Sequence, residues 1–217
     1  MKEASFPKVS DTTHQRREHI LQAATQVIAQ DGLSGFSVRT VAKKAGCSRG
    51  LVEHYFRNKA SLLLASAEWA DEQYLHRVNA AVAAKSGLSA LEVRLRCLLP
   101  YDDITLHDWK VRVAFWHQGT TLTSLEGASN RSFYTVYNAI LKDLKDAQEK
   151  GEIAVEIPVR VTSEMLLLAV MGLCVSCLNN PQLRTKKPLD RRMTMFLNFL
   201  KSGNVADLEV GDPEVEY

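Results

Sequence analysis

The chain has 217 residues, 46% of them apolar and 24% charged, with a formal net charge of +2. That length buries a sizeable core in one domain or two small ones, and the balance is that of an ordinary soluble globular protein rather than a disordered, collagenous or disulfide-stapled one. The polar opening MKEASFPKVSD has no apolar core of a secretory signal.

In chain order, nearly every segment carries the 3.6-residue period and almost none alternates as a strand does, so an all-α fold is expected. Ile20, Leu21, Ala24, Val27 and Ile28 form the apolar stripe of a first helix, which Gly32 stops. Ser37 caps a short second helix, VRTVAKKA, presenting Val38, Val41, Ala42 and Ala45. Gly46 breaks it, Ser48 caps a third helix, RGLVEHYF, and Asn58 caps a fourth from Lys59 to about residue 79. Further amphipathic helices are expected over about 88–99, 107–118, 129–150, 160–179 and 188–202. Pro100, Gly119, Gly127, Gly151, Pro158, Pro181 and Pro188 fall between these blocks or at their edges. The apolar run 165–178 is shorter than the ~20 residues that span a bilayer, so it reads as a buried helix and no membrane association is expected. The tail 203–217 carries acids and no base and is expected to be disordered.

The four cysteines (Cys47, Cys97, Cys174 and Cys177) fit no disulfide framework. Cys174 and Cys177 form a C-x-x-C inside the apolar run, but no second pair or histidine cluster accompanies them. They read as buried small hydrophobes, with no metal and no cofactor implied, in a reducing, cytoplasmic setting.

Charge is distributed unevenly. Residues 1–65 hold ten Lys/Arg against five Asp/Glu, a net of +5, whereas the remainder holds 17 against 20, a net of −3. A basic head on a mildly acidic body directs the head toward a polyanion.

Two short helices joined by AGCS match a helix-turn-helix, whose second helix enters the DNA major groove. Gly46 suits a turn that needs positive φ. Gly50, in the first turn of the next helix, leaves the backbone open to a phosphate or a base edge, where free N–H groups and the helix dipole favour an anion. Arg39 and Arg49 are each able to make a bidentate contact to guanine. Ser37, Thr40, Ser48, Tyr55 and Lys59 are placed to reach phosphate oxygens, and His54 can do either. Leu51 and Val52 divide between a thymine methyl and the core, and Phe56 is core. The alternative, an ordinary solvated helix pair, leaves the coincidence of turn, basic head, Gly50 and the HYFRNK exit unexplained.

Residues 13–65, in RREHILQAATQVIAQDGLSGFSVRTVAKKAGCSRGLVEHYFRNKASLL, resemble the N-terminal DNA-binding domain of the TetR family of transcriptional repressors. Cys47 stands where that family more often has Val, and reads as a packing residue. The resemblance implies an all-α homodimer on a double-stranded DNA operator, with a small-molecule effector bound by the C-terminal helices spreading the two heads. The expected divisions are a DNA-binding domain at 1–65, a helical ligand-binding and dimerisation domain at 66–202, and the tail.

In the body, helices 129–150 and 160–179 serve equally as a dimer interface or as core within one subunit. Trp109, Val113 and Trp116 share a helix face in DWKVRVAFWHQG, either as core or as the lining of a cavity. Lining aromatics attract quaternary ammonium ions, and Phe133, Tyr134 and Tyr137 are candidates for the remaining walls, with Asp102, Asp103 and Asp108 adding negative potential. The aromatic segment and GLVEHYF are similar to the choline-responsive, BetI-like branch of the family. An anionic ligand countered by Arg112 or Arg131 also fits.

An enzyme fits poorly. The chain has no P-loop, G-x-S-x-G, H-E-x-x-H or dinucleotide fingerprint, and His14, His19, His54, His76, His107 and His117 include no i, i+4 pair. A DNA-binding or architectural protein of the same fold without an inducer is the remaining alternative.

Overall fold

A computed structural model describes residues 9–119 and 123–203, and these are all-α. In chain order the helices are α1 (Val9–Gly35), α2 (Val38–Lys44), α3 (Arg49–Tyr55), α4 (Lys59–Val82), α5 (Leu88–Arg96), α6 (Asp103–Gly119), α7 (Thr123–Glu149), α8 (Val159–Asn179) and α9 (Lys186–Ser202), with a short 3-10 helix at Pro181–Arg184 before α9. No strand occurs among the described residues.

The expected helix signals act where they stand in the sequence. Gly32 takes φ 67° and interrupts α1. At the start of α4, the Ser61 N–H donates to Asn58 Oδ1 at 2.8 Å while the Asn58 N–H donates to Ser61 Oγ at 3.1 Å, a reciprocal cap. Other breakers do less than expected: Gly127 lies inside α7 and Pro188 in the first turn of α9, where a missing N–H is tolerated.

The chain forms two compact units. Met1–Tyr74 joins Lys110–Ser129 in the first, and Leu75–Trp109 joins Asn130–Tyr217 in the second. The first unit buries Ile20, Leu21, Ala24, Val27 and Ile28 of α1 against Val41 and Ala42 of α2, Val52 of α3, Phe36, Phe56 and Leu62. Val111 and Phe115 of α6 belong to the same core, a packing that the local periodicity does not reveal.

The second unit is held by apolar packing of Leu91, Leu95, Leu98, Leu99, Ile140, Leu144 and Leu166, and by buried polar ties. Arg94 Nε donates to Asp143 Oδ2 at 2.7 Å, joining α5 to α7. The Leu88 N–H, at the open end of α5, donates to Glu152 Oε2 at 2.7 Å, so a carboxylate 64 residues away caps that helix. Tyr101 donates to Asp190 at 2.7 Å and Arg96 pairs with the same carboxylate, tying α9 to the segment after α5.

The apolar run at 165–178 lies in a 21-residue helix, α8, which is longer than the run itself and passes for a membrane span by length and composition only. Its Ser163, Leu166, Leu167, Val170, Cys174 and Cys177 are buried in the second unit. The opposite face leaves Val161, Met165 and Leu168 exposed. Cys174 and Cys177 are buried thiols in that core that form no disulfide, and Cys174 Sγ donates to Leu98 O at 3.4 Å. Among the described residues no His/Cys/Asp/Glu group is arranged to hold a metal. The acidic stretch expected to be disordered lies, from residue 204 on, outside the described residues.

Candidate nucleic-acid interface

The α2–α3 pair is built from three local devices. Ser37 caps α2 in a reciprocal box: its hydroxyl accepts from the Thr40 N–H at 3.1 Å, and the Ser37 N–H donates to Thr40 Oγ1 at 2.9 Å. At the other end Gly46 takes φ 62°, the Cys47 N–H donates to Ala42 O at 3.0 Å and the Gly46 N–H to Lys43 O at 3.3 Å. This pair of bonds is a Schellman closure, which turns the chain sharply and needs the left-handed conformation at glycine. Ser48 then accepts from the Leu51 N–H at 3.2 Å and starts α3. Cys47 packs against the core from the turn, as expected, and burial pushes its thiol pKa up.

Long-range contacts fix the pair to the rest of the unit. Val52 and Phe56 are buried, whereas Leu51 is half-buried, so of the two neighbours Val52 is the core residue. Tyr55 is half-buried and packs against the core. His19 Nε2 lies 3.1 Å from Ala45 O, bonding α1 to the turn, and the Arg17 guanidinium sits 5.5 Å from the Phe56 ring centroid. Neither anchor was indicated by local sequence pattern.

What remains outward is a polar, basic surface. Arg39, Thr40, Ser48, Arg49, Gly50, His54 and Lys59 are exposed, along with Lys43 and Lys44 in the last turn of α2. Arg49 Nε donates to Glu53 Oε1 at 2.7 Å, so a base contact by this arginine must displace or share the carboxylate. Ser37 and Thr40 are engaged in the cap, and the Thr40 hydroxyl also donates to Gly35 O at 2.8 Å. The Lys59 ammonium lies 5.9 Å from the Phe36 ring centroid. A Cβ added at Gly50 would meet nothing nearer than Ser48 Oγ at 4.0 Å. Nothing within the chain therefore requires glycine at position 50.

The aromatic residues of the body are placed unit by unit. In the second unit Trp109 is fully buried and its Nε1–H donates to Leu98 O at 2.5 Å, making it a core anchor. Phe133, Tyr134 and Tyr137 form a run of edge-on rings at 5.5 and 6.4 Å, but Tyr134 is 59% exposed, contrary to a role inside a closed cage. Val113 and Trp116 are half-buried residues of the first unit. The acids proposed to supply negative potential are engaged locally: Asp108 pairs with Arg77, and Asp102 accepts from the Thr105 N–H at 2.8 Å, a bond that lowers its pKa. Asp103 is exposed, and so is Arg131.

Against known proteins, residues 20–66 match the family described as bacterial regulatory proteins, tetR family. The chain is similar to the HTH-type transcriptional regulator BetI of Yersinia pestis (strain Pestoides F), 32% identical over 132 residues covering 55% of this chain and 64% of that protein. The chain thus spans somewhat less than two thirds of that relative's length. It is also similar to the crystal structure of a transcriptional regulator from Rhodococcus sp. Rha1, with TM-score 0.76, 25% identity and coverage of 86% of this chain and 96% of that one. A regulator from Saccharomonospora viridis, solved in complex with choline, superposes with TM-score 0.78 at 18% identity, covering 87% and 97%. At that identity the likeness is one of fold.

Proposed function

We propose that the chain is a ligand-responsive repressor of the tetR type, binding a palindromic operator as a homodimer; the match of residues 20–66 to that family and the likeness to BetI support this reading. The observation that carries the reading is the α2–α3 surface, whose buried side is anchored in the core while Arg39, Arg49, Gly50 and His54 stand outward on a head of net charge +5. Arg39 and Arg49 read guanine edges, Ser48 and Lys59 hold phosphates, and the open backbone at Gly50 lets the start of α3 approach the groove. The exposed apolar face of α8, with Val161, Met165 and Leu168, supports a second copy as the partner, because two half-sites about 34 Å apart need two heads. A small molecule then releases the operator. Choline or a related quaternary ammonium compound is the proposed effector, supported by the likeness to BetI. The protein is read as a regulator rather than an enzyme, acting in the cytoplasm and away from the membrane.

The burial of Trp109 with its N–H satisfied favours one second reading, the same fold regulating DNA without an inducer. One experiment separates the two. The full chain is used to select binding sites from randomised double-stranded DNA, the complex is sized, and the selected site is challenged with choline and betaine aldehyde. A palindromic consensus bound by two chains and released by these compounds is the expected result. Failure to enrich any sequence would refute the repressor reading, and an enriched site indifferent to both compounds would refute the effector class.

A further inference from the structure

The α2–α3 pair and its flanks carry one acid. From Ser37 to Lys59 the chain has six Lys/Arg, at 39, 43, 44, 49, 57 and 59, and a single carboxylate, Glu53. On a surface that meets DNA, a carboxylate repels phosphates whatever the base sequence, so its presence there needs a reason. Helix stability does not supply one. Arg49 opens α3 and Glu53 lies in its last turn, so each charge sits at the end of the helix dipole that disfavours it. The acid also follows the base by four residues, the weaker of the two orientations for such a pair. With side chains 69% and 42% exposed, the contact adds little to folding.

What the contact does is aim the arginine. Arg49 Nε donates to Glu53 Oε1 at 2.7 Å, the length of a charge-assisted hydrogen bond. Side chains on a helix lean toward its N-terminus, which brings the Glu53 carboxylate back over the turn that begins with Arg49. With Nε engaged, the guanidinium keeps its two Nη groups, which have no partner among the described residues. They form a fork for the O6 and N7 acceptors of guanine. The carboxylate keeps a second oxygen, and that oxygen only accepts. It takes a proton of the cytosine N4 amine and repels thymine O4 in its place.

We propose that Glu53 is a specificity-determining residue of the DNA interface: it positions Arg49 on a guanine and itself reads the cytosine amine of the adjoining G·C pair. Resting on the repressor reading above, this role states part of the sequence that each half-site carries. It also explains a carboxylate on a basic surface, because the repulsion that costs affinity on all DNA is offset only where an amine stands opposite it.

The test is selection of binding sites from randomised duplex DNA by the full chain, by Glu53→Gln and by Glu53→Ala, with Arg49→Ala marking the guanine position. The parent protein should enrich a G·C pair next to the guanine that Arg49→Ala no longer selects. Glu53→Gln presents an amide that pairs with adenine N6 and N7, and should change the adjoining pair to A·T. Glu53→Ala should lose the preference there by at least about fivefold and loosen the guanine preference. It should also bind random DNA roughly two- to threefold more tightly at low salt, the effect of removing one carboxylate–phosphate repulsion across about 7 Å of water. Thermal denaturation should leave both variants with the parent. A shifted melting temperature with unchanged base preferences would make the pair a helix brace and overturn the proposal. An A·T pair in the parent consensus where the variants diverge overturns it too. If the parent enriches no sequence, the repressor reading falls and the role of Glu53 with it. Enrichment by the parent that both Glu53 variants reproduce refutes the role of Glu53 alone.

Discussion

Replacing Gly50 with alanine should move fold stability and DNA affinity in opposite directions. Position 50 is the second residue of α3, its φ is outside the left-handed region, and an added Cβ finds only Ser48 Oγ, at 4.0 Å. The methyl group therefore meets no obstacle, and restricting the unfolded chain stabilises the fold by ~0.4–1 kcal/mol. For a chain of this size that raises Tm by roughly 1–4 °C. On the DNA side, a carbon at the helix start holds any partner to about 3.5–4.0 Å, too far for an N–H···O contact made by the backbone beside it. Losing one such base or phosphate contact, at ~1–3 kcal/mol, weakens operator binding by about 5- to 150-fold, and Gly50→Val should do more. Thermal denaturation and fluorescence anisotropy with a selected operator measure the two effects. Destabilisation by alanine would mean that the fold itself needs this glycine. Unchanged affinity in a stabilised variant would mean that the start of α3 does not face DNA.

Arg49→Ala should lose discrimination between operator and random DNA by ~1–3 kcal/mol in competition binding, and equal weakening on both would make it a phosphate contact instead. Lys59→Ala should weaken all sequences alike and reduce the slope of log K against log salt by about one, and an unaltered slope would refute a phosphate role. Asp143→Asn leaves buried Arg94 without its counter-charge and should destabilise by ~3–5 kcal/mol in urea denaturation, so a change below about 1 kcal/mol would show the pair to be dispensable. The Tyr101 hydroxyl is pushed up to about 12 by burial and by its bond to Asp190. Because the folded state holds this proton more tightly than the unfolded chain, whose tyrosine titrates near 10, the contribution is complete below pH ~10 and fades as pH rises toward 12. Tyr101→Phe should flatten that part of the alkaline stability profile, and profiles of identical shape would refute the assignment.

The helix-turn-helix was legible because its determinants are local. Ser37 and Thr40, Ser48, and Asn58 with Ser61 each satisfy backbone groups within three residues, and the Gly46 turn closes on carbonyls one turn back. Such bonds form wherever the sequence places them, so residue order alone determined the caps, the turn and the buried stripe of α1. The aromatic segment was less legible. The 3.6-residue period groups Trp109, Val113 and Trp116 on one face, but period alone does not say whether a buried face lines a cavity or fills a core, and Trp109 is core.

Tertiary structure decided the features whose partners are far apart in the chain. Val111 and Phe115 complete the core under the DNA-binding helices, Glu152 caps α5 from 64 residues away, Asp143 neutralises Arg94 across 49, and Arg112 occupies the face of Tyr74. No short-range pattern marks these residues, because a buried charge or an open helix end accepts any partner of the right chemistry. Which partner it meets is settled only when the apolar faces pack and remove the alternatives from reach. Sequence thus set the caps and the turn of the α2–α3 pair, while packing determined which distant residues complete the core beneath it and which cation sits on the Tyr74 ring.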